Sequence, residues 1–454
     1  MTRVRTRHVS IFSGLAMVIL FVFYWLGCYH APAAEVEENQ AMHLVVDWNT
    51  FMLKAEVNVE GFRGPIMARM YGYVGLAAYE AGLPGFSGEF HSMTSYFPTL
   101  ILPKAPSRDS FNMAISLNAC YATIIGNFFI TSPEQDKLKR SELIKTWDTK
   151  IGQDVDTSII RISKNYGRDV ANAVFEWSAT DSLGHNANHH NYDRNYIPPA
   201  GVGKWVTSTD FPMPPLLPYW GKVRPFIINT ESYLAKPIPT DTADTHQLFH
   251  RQALELISLN SPLTPENQWI GDFWNDDHPG MMFTAPGHWL FIVNQVITRE
   301  HPPIEKVLET YMKTGFALSD ALIACWYSKY LYNLERPETY IQREIDKAWR
   351  PYSLSPSFPS YPSGHAMMAA AAAAVLTELF GSSYKMMDCS HEGFENIKVK
   401  PREFNSFEEM AKEDAMSRLF IGVHWRMDCE EGMRLGTQIG KNISHLELEN
   451  KLTE

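Results

Sequence analysis

Three short segments in the last third of the chain hold residue types that can bind and transform an anion. In YSKYLYNLERP, Lys329 and Arg336 stand seven apart. On a continuous helix that is two turns, so both cations would project from one face, and Pro337 should discourage helix beyond Arg336. The second segment, Phe358 to His365 (FPSYPSGH), runs straight into the alanine-rich stretch Ala366–Phe380. Ser363 and Gly364 should therefore sit at a helix N-terminus, whose free N–H groups and partial positive charge suit an anion, and Gly364 lets the backbone come close. The third segment is SRLFIGVHWRMD, Ser417 to Asp428. Six residues of unbroken helix would rotate Arg418 about 240° away from His424, so both reach one pocket only if the helix breaks near Gly422. His424 and Asp428, four apart, can share a face, with Asp428 holding one imidazole nitrogen while the other meets a ligand.

Together the segments supply two arginines, a lysine, a hydroxyl, a glycine N–H and two histidines. That set matches a tetrahedral oxyanion: charge-assisted donors for its equatorial oxygens, one apical nitrogen ligand and one acid/base. Each member also has an ordinary structural reading. The cations could form a solvated helix face, the histidines could be satisfied core residues, and Asp428 could be a surface or capping carboxylate.

The elements that must position these residues read as helical. Apolar residues recur at three- and four-residue intervals in Pro65–Ala81, Asp109–Phe128, Gln247–Leu259, Ile304–Leu334, Ala366–Phe380 and Glu408–Phe420, whereas alternating runs are short and scarce. The expected fold is all-α. The Pro-, Gly- and aromatic-rich stretch Asn191–Thr242 lacks helical period and reads as a long structured crossover. It divides the chain into an N-terminal helical half (34–240) and a C-terminal bundle carrying the oxyanion site (241–454), which are expected to share a core.

The order K-x6-RP, PSGH and SR-x5-H-x3-D resembles the signature of the vanadium-dependent haloperoxidase and type 2 phosphatidic acid phosphatase superfamily. RMYGYVGLAAYEA, PPLLPYWGKVRPF, FWNDDHPGMMFTAPGHW and ACWYSKYLYNLERP extend the likeness to the longer bacterial members, particularly iodoperoxidase-type enzymes. The resemblance implies two packed helical bundles and a vanadate cofactor. It makes His424 the axial ligand and gives the oxyanion's oxygens to Lys329, Arg336, Ser363, Gly364 and Arg418. It assigns acid/base work to His365 and a role on the bound peroxide to Lys329, with Trp326 and Phe358 near the halide, although aromatic residues at helical spacing are as often packing. The implied activity is oxidation of iodide, with bromide second, by hydrogen peroxide to hypohalous acid. Two rivals use the same residues: a secreted acid phosphatase with His424 as a phosphohistidine nucleophile, and a non-catalytic anion-binding surface lipoprotein. His365 favours catalysis, since an anion binder needs no acid/base.

Composition sets the outer limits. With 454 residues, 45% hydrophobic and 13% aromatic, the chain is too apolar for disorder and long enough for a large core. Residues 1–33 have a basic start (Arg3, Arg5, Arg7), an apolar run from Ile11 to Leu26 and a short exit, the layout of an export signal. The exit is open to two readings, cleavage at Ala31-x-Ala33 or lipidation of Cys28 in a Leu26-Gly27-Cys28 box, which would tether the protein to a membrane. No other stretch approaches 18 consecutive apolar residues. Without the three signal arginines, 37 basic residues face 51 acidic ones, a net of −14. Such a surface repels a phosphate backbone, which argues against a nucleic-acid partner. Oligomeric state stays open.

Cys120, Cys325, Cys389 and Cys429 match no zinc spacing and read equally as buried thiols or as one or two bridges. Two histidine groups invite a metal reading. His185, His189 and His190 lie in an Asn-rich segment that reads better as a polar loop, and His278 and His288 read better as structural, with Asp276, Asp277 and Thr284 as turn and cap residues.

Overall fold

The computed structural model describes residues 33–208, 212–238, 243–276, 281–394 and 399–449. Residues 1–32 of the signal, Cys28 among them, lie outside the described residues, as do Asp277 and His278. The fold is all-α. Its first half contains α1 (Ala33–Ala55), α2 (Gly64–Gly82), α3 (Met113–Phe128), α4 (Glu134–Ile151), α5 (Thr157–Ala179) and the single turn α6 (Ser182–His185). After the crossover come α7 (Ala243–Asn260), α8 (Pro265–Phe273), α9 (Ala285–Glu300), α10 (Ile304–Tyr332), α11 (Pro337–Glu344), α12 (Gly364–Phe380), α13 (Phe407–Phe420) and α14 (Arg426–Ser444). A small antiparallel pair, β1 (Met386–Asp388) with β2 (Arg402–Phe404), precedes α13.

Local chemistry explains the ends of the helices that carry the site. Alanine, the best helix former, fills α12, and Ser363 caps it with Oγ accepting from the Ala366 N–H at 3.4 Å. Ser406 caps α13 through the Glu409 N–H. Asn333 ends α10 in the left-handed region (φ 50°), a conformation asparagine tolerates.

The central element is α10, almost wholly buried. It packs against α2 of the first half and against α12 and α14 of the second, so one connected apolar core runs from Ala41 to Leu448. The crossover is pinned to this helix by its polar groups. The buried Asp320 carboxylate accepts from the backbone N–H groups of Phe226 (2.7 Å), Ile227 (2.8 Å) and Ile228 (3.1 Å), and Ser328 Oγ accepts from Ala235 N–H at 3.1 Å. A buried segment without helix must find such partners for its backbone.

Among the described residues the four cysteines are free thiols. No helix of the described residues is long and apolar enough to cross a membrane.

Candidate active site

Lys329 and Arg336 do converge, though not by the route their spacing implies. They do not share a helix. The left-handed turn at Asn333 stops α10 after Tyr332, and Arg336 is the extended N-cap residue of a new helix, with Pro337 in the first-turn position proline favours. The turn between is held from outside: Trp205 N–H donates to Asn333 O (2.8 Å), Glu335 N–H to Gly203 O (3.0 Å) and Ser360 N–H to Leu334 O (2.9 Å). Lys329, fully buried, donates to the carbonyls of Pro359 (3.0 Å) and Ser360 (2.8 Å). Arg336 donates to the carbonyls of Phe358 (3.0 Å) and Val423 (2.8 Å), and its Nη1 lies 3.1 Å from His424 Nε2.

The break expected near Gly422 is present. Gly422 has φ 80°, and a Cβ there would meet Pro351 at 3.0 Å. Arg418 thus projects from the last turn of α13, while His424 lies just before α14. Asp428 stands in the first turn of α14 and both caps and orients: its Oδ2 accepts from Trp425 N–H (3.1 Å), His424 Nδ1–H (2.8 Å) and Ser360 Oγ–H (2.5 Å). This fixes the His424 tautomer and leaves Nε2 as the lone-pair atom. Coordination by Nε2 and the Arg336 hydrogen bond would use the same lone pair, so the two are mutually exclusive.

Arg418 completes the ring. It donates to Ser417 Oγ (2.9 Å) and to the Trp274 carbonyl, and its Nη1 faces His365 Nε2 at 3.4 Å. Ser363 and Gly364 begin α12 as expected, with Ser363 N–H bound to Asp428 O at 2.9 Å. Trp326 and Phe358 meet with ring centroids 5.0 Å apart, and Lys329 Nζ lies 5.9 and 5.1 Å from their centroids. Both rings, with Gly364, His365, Arg418 and His424, line a cavity of ≈ 640 Å³ whose outer wall includes Arg63, Tyr192, Met213 and Tyr352.

Burial and mutual repulsion set the charge states. Burial, reinforced by Arg336 and Lys329, holds His424 well below the ordinary imidazole range; burial with Arg418 and Lys329 does the same to His365. Both rings are therefore neutral, as a ligand and a base must be. Burial, aided by Arg336, also pulls the Lys329 ammonium below its usual range. Burial pushes the Asp428 carboxyl up, against the opposing Ser360 hydrogen bond and Lys329.

The donor set fits an oxyanion. Three cations, each at most 2% exposed, crowd two neutral histidines. Opposite them stand Asp428, whose Oδ2 is already engaged, and Asp414 behind Arg418, which burial pushes up to about 7. Buried cations in such excess are costly unless an anion joins them, and Lys329, with three N–H groups, retains a donor beyond its two carbonyls.

Several positioning groups escaped sequence reasoning. Ser360 and the Trp274 carbonyl act on Asp428 and Arg418 through contacts 68 and 144 residues away in the chain, and Arg63 and Tyr192 reach the cavity from the first half. Of the other histidines, His185 bonds Ser178 Oγ (2.9 Å) beside Phe175, and His189 and His190 are exposed. Thr284 caps α9 as expected, accepting from Gly287 N–H at 3.3 Å.

Residues 309–449 match the family described as the VCPO second helical-bundle domain. A solved bacterial vanadium-dependent iodoperoxidase superposes with a TM-score of 0.79 at 25% identity, covering 90% of this chain and 98% of that one. A bacterial vanadium-dependent chloroperoxidase in its holo form gives 0.64 at 14% identity, over 86% of this chain and 93% of that one, which bears on fold alone. No curated protein sequence matches the chain significantly.

Proposed function

The chain belongs to the vanadium haloperoxidase family, and from that premise we propose that it is a vanadate-dependent haloperoxidase that oxidises iodide, and bromide less readily, with hydrogen peroxide to hypohalous acid. The observation that carries this reading is the pair of neutral buried histidines set among three buried cations at the floor of a solvent-reaching cavity. An anion binder needs the cations alone.

Vanadate bound there would act as a Lewis acid toward peroxide while keeping its oxidation state. His424 Nε2 is the nitrogen able to ligate it, and Asp428 raises the basicity of that nitrogen by accepting the Nδ1 proton. Arg336, Arg418, Lys329, the Ser363 hydroxyl and the Gly364 N–H would hold the oxygens. His365, kept neutral by its surroundings, is placed to accept a proton from incoming peroxide at Nε2, the nitrogen that Arg418 Nη1 faces at 3.4 Å and must release for that step. The fixed Lys329 ammonium polarises oxygen charge as it develops. Trp326 and Phe358 give the halide a largely apolar approach in which its hydration shell is shed. The 25% identity to an iodoperoxidase across nearly the whole chain supports iodide as the preferred halide. The basic start and apolar run of residues 1–33 support action outside the cytoplasm, with Cys28 as the anchor if that cysteine is lipidated.

The test compares orthovanadate-loaded and vanadate-free protein for oxidation of iodide, bromide and chloride by peroxide and for hydrolysis of p-nitrophenyl phosphate. Vanadate-dependent iodide oxidation is expected, and His365→Ala should keep vanadate binding while losing turnover. Phosphate hydrolysis inhibited by vanadate, without halide oxidation, would make His424 a phosphatase nucleophile. Full activity in His365→Ala would remove that residue from the mechanism.

A further inference from the structure

Behind the oxyanion site, three residues from separate parts of the second half meet in the interior. Asp276 follows α8, His288 lies in the first turns of α9, and His391 sits in the turn after β1. They are 3%, 0% and 5% exposed, and one ligand atom from each falls within 4.8 Å of the others. His288 Nδ1 is 3.1 Å from Asp276 Oδ2, and His391 Nε2 is 3.8 Å from Asp276 Oδ1. Neither ring nitrogen of His391, nor Asp276 Oδ1, has a hydrogen-bond partner among the described residues. A buried imidazole with two idle nitrogens is costly, and such groups call for an explanation.

We propose that Asp276, His288 and His391 bind a divalent transition-metal ion, Zn²⁺ by the chemistry of the set, as a structural clamp beside the vanadate site. Two imidazoles and a carboxylate are ligands that suit zinc. With bonds of about 2.0–2.1 Å, tetrahedral ligand atoms lie about 3.3 Å apart; the Asp276–His288 pair is already near that spacing, and His391 must close in by up to about 1.5 Å, since the three ligand atoms lie within 4.8 Å of one another.

The surroundings are those of a metal-bound histidine. His288 Nε2 lies 3.0 Å from Asp388 Oδ2, while Asp388 Oδ1 is held by Gln295 Nε2 (3.0 Å), Ser390 N–H (2.9 Å) and Ser390 Oγ (2.5 Å). Asp388 is thus fixed as the carboxylate that orients the ring, leaving Nδ1 for the ion. Asp276 also lines a cavity of ≈ 950 Å³ shared with Glu56 and His189, a route by which the ion can enter.

The clamp has a mechanical consequence. Trp274 stacks on His288 with centroids 4.6 Å apart, and the Trp274 carbonyl receives the Arg418 guanidinium. An ion tying the loop after α8 to α9 and to the turn after β1 would steady that carbonyl and therefore Arg418.

The test uses tag-free, chelator-treated full chain titrated with Zn²⁺ or Co²⁺ alone, without vanadate, following calorimetry and the Co²⁺ visible spectrum. One equivalent should bind with sub-micromolar affinity and give the d–d bands of a nitrogen–oxygen site. His391→Ala, which removes no hydrogen bond, should weaken binding at least about 100-fold, and His189→Ala should leave it unchanged. Absence of sub-micromolar binding by the wild-type chain, or equal affinity in His391→Ala, would overturn the proposal. The wild-type titration decides independently of any folding defect in the variant, and none of its readouts depends on halide oxidation.

Discussion

The position of the α12 N-terminus, and with it Ser363, Gly364 and His365, depends on how closely α14 packs beneath it. Gly432, Gly436 and Gly440 form a stripe on α14 facing α12. A Cβ at Gly436 would lie 2.0 Å from the Met367 carbonyl oxygen, whereas real contacts there are 3.0 Å or longer. That oxygen belongs to helix backbone and cannot rotate aside, so Gly436→Ala must push the helices more than 1 Å apart. Two effects compete. Alanine favours helix over glycine by about 1 kcal/mol. Against this, overpacking costs about 1–3 kcal/mol, and a gap of about 1 Å forfeits a quarter to a half of each dispersion contact along the interface, where Leu435, Ile439 and Ile443 are buried. The steric effect wins, and a net loss of about 2–4 kcal/mol is expected. Gly432→Ala is milder in stability but nearer the chemistry. Its Cβ would meet Ser363 O at 2.8 Å and Ala366 Cβ at 2.9 Å, so the first turn of α12 shifts by tenths of an ångström and vanadate affinity should fall by about tenfold or more. Denaturant midpoints and vanadate titrations of the two variants test this together. A Gly436→Ala midpoint at or above wild type would show that helix propensity outweighs packing here and would refute the reasoning.

Asp428→Asn keeps an acceptor for His424 and Ser360 while removing charge, so vanadate should bind about 10-fold more weakly; sulfate, which no nitrogen ligates, should bind no more weakly, and a parallel loss of both anions would argue against the ligand-orienting role. Asp428→Ala leaves three buried donors without that acceptor and should cost about 3–5 kcal/mol in denaturation experiments. For pH, Glu80 is 1% exposed and accepts from Met93 N–H (2.6 Å) and Ser92 Oγ (3.1 Å), yet burial pushes its carboxyl up to about 7. A raised native pKa means the unfolded state releases the proton first: this contribution to stability is complete below pH about 4.5 and is lost as pH rises through about 7, on the order of 3 kcal/mol. Glu80→Gln should flatten that slope between pH 4.5 and 8, and an unchanged slope in its denaturation midpoints would exclude Glu80 as its source.

What the sequence determined by itself was chemical type and local conformation. Helical periodicity marked α2, α7, α10, α12 and α13 to within a few residues, because an amphipathic or alanine-rich run carries its preference in its own side chains. The Ser363 cap and the bend at Gly422 were likewise legible, since each is a local demand on one residue. The first turn of α14 was readable too, through the four-residue spacing of His424 and Asp428.

Where spacing was taken as geometry, tertiary structure decided otherwise. Lys329 and Arg336 look like neighbours on one helix, but Asn333 turns the chain between them, and they meet because the crossover and the Phe358–Ser360 segment grip that turn. The same holds for the second coordination of the site. Ser360 on Asp428, Trp274 on Arg418, and the meeting of Asp276, His288 and His391 join positions far apart in the chain. No side chain's own preference encodes such contacts. They exist because packing α10 against α2, α12 and α14 around one core brings those backbones together, and the energy that holds them is the burial shared by the whole fold.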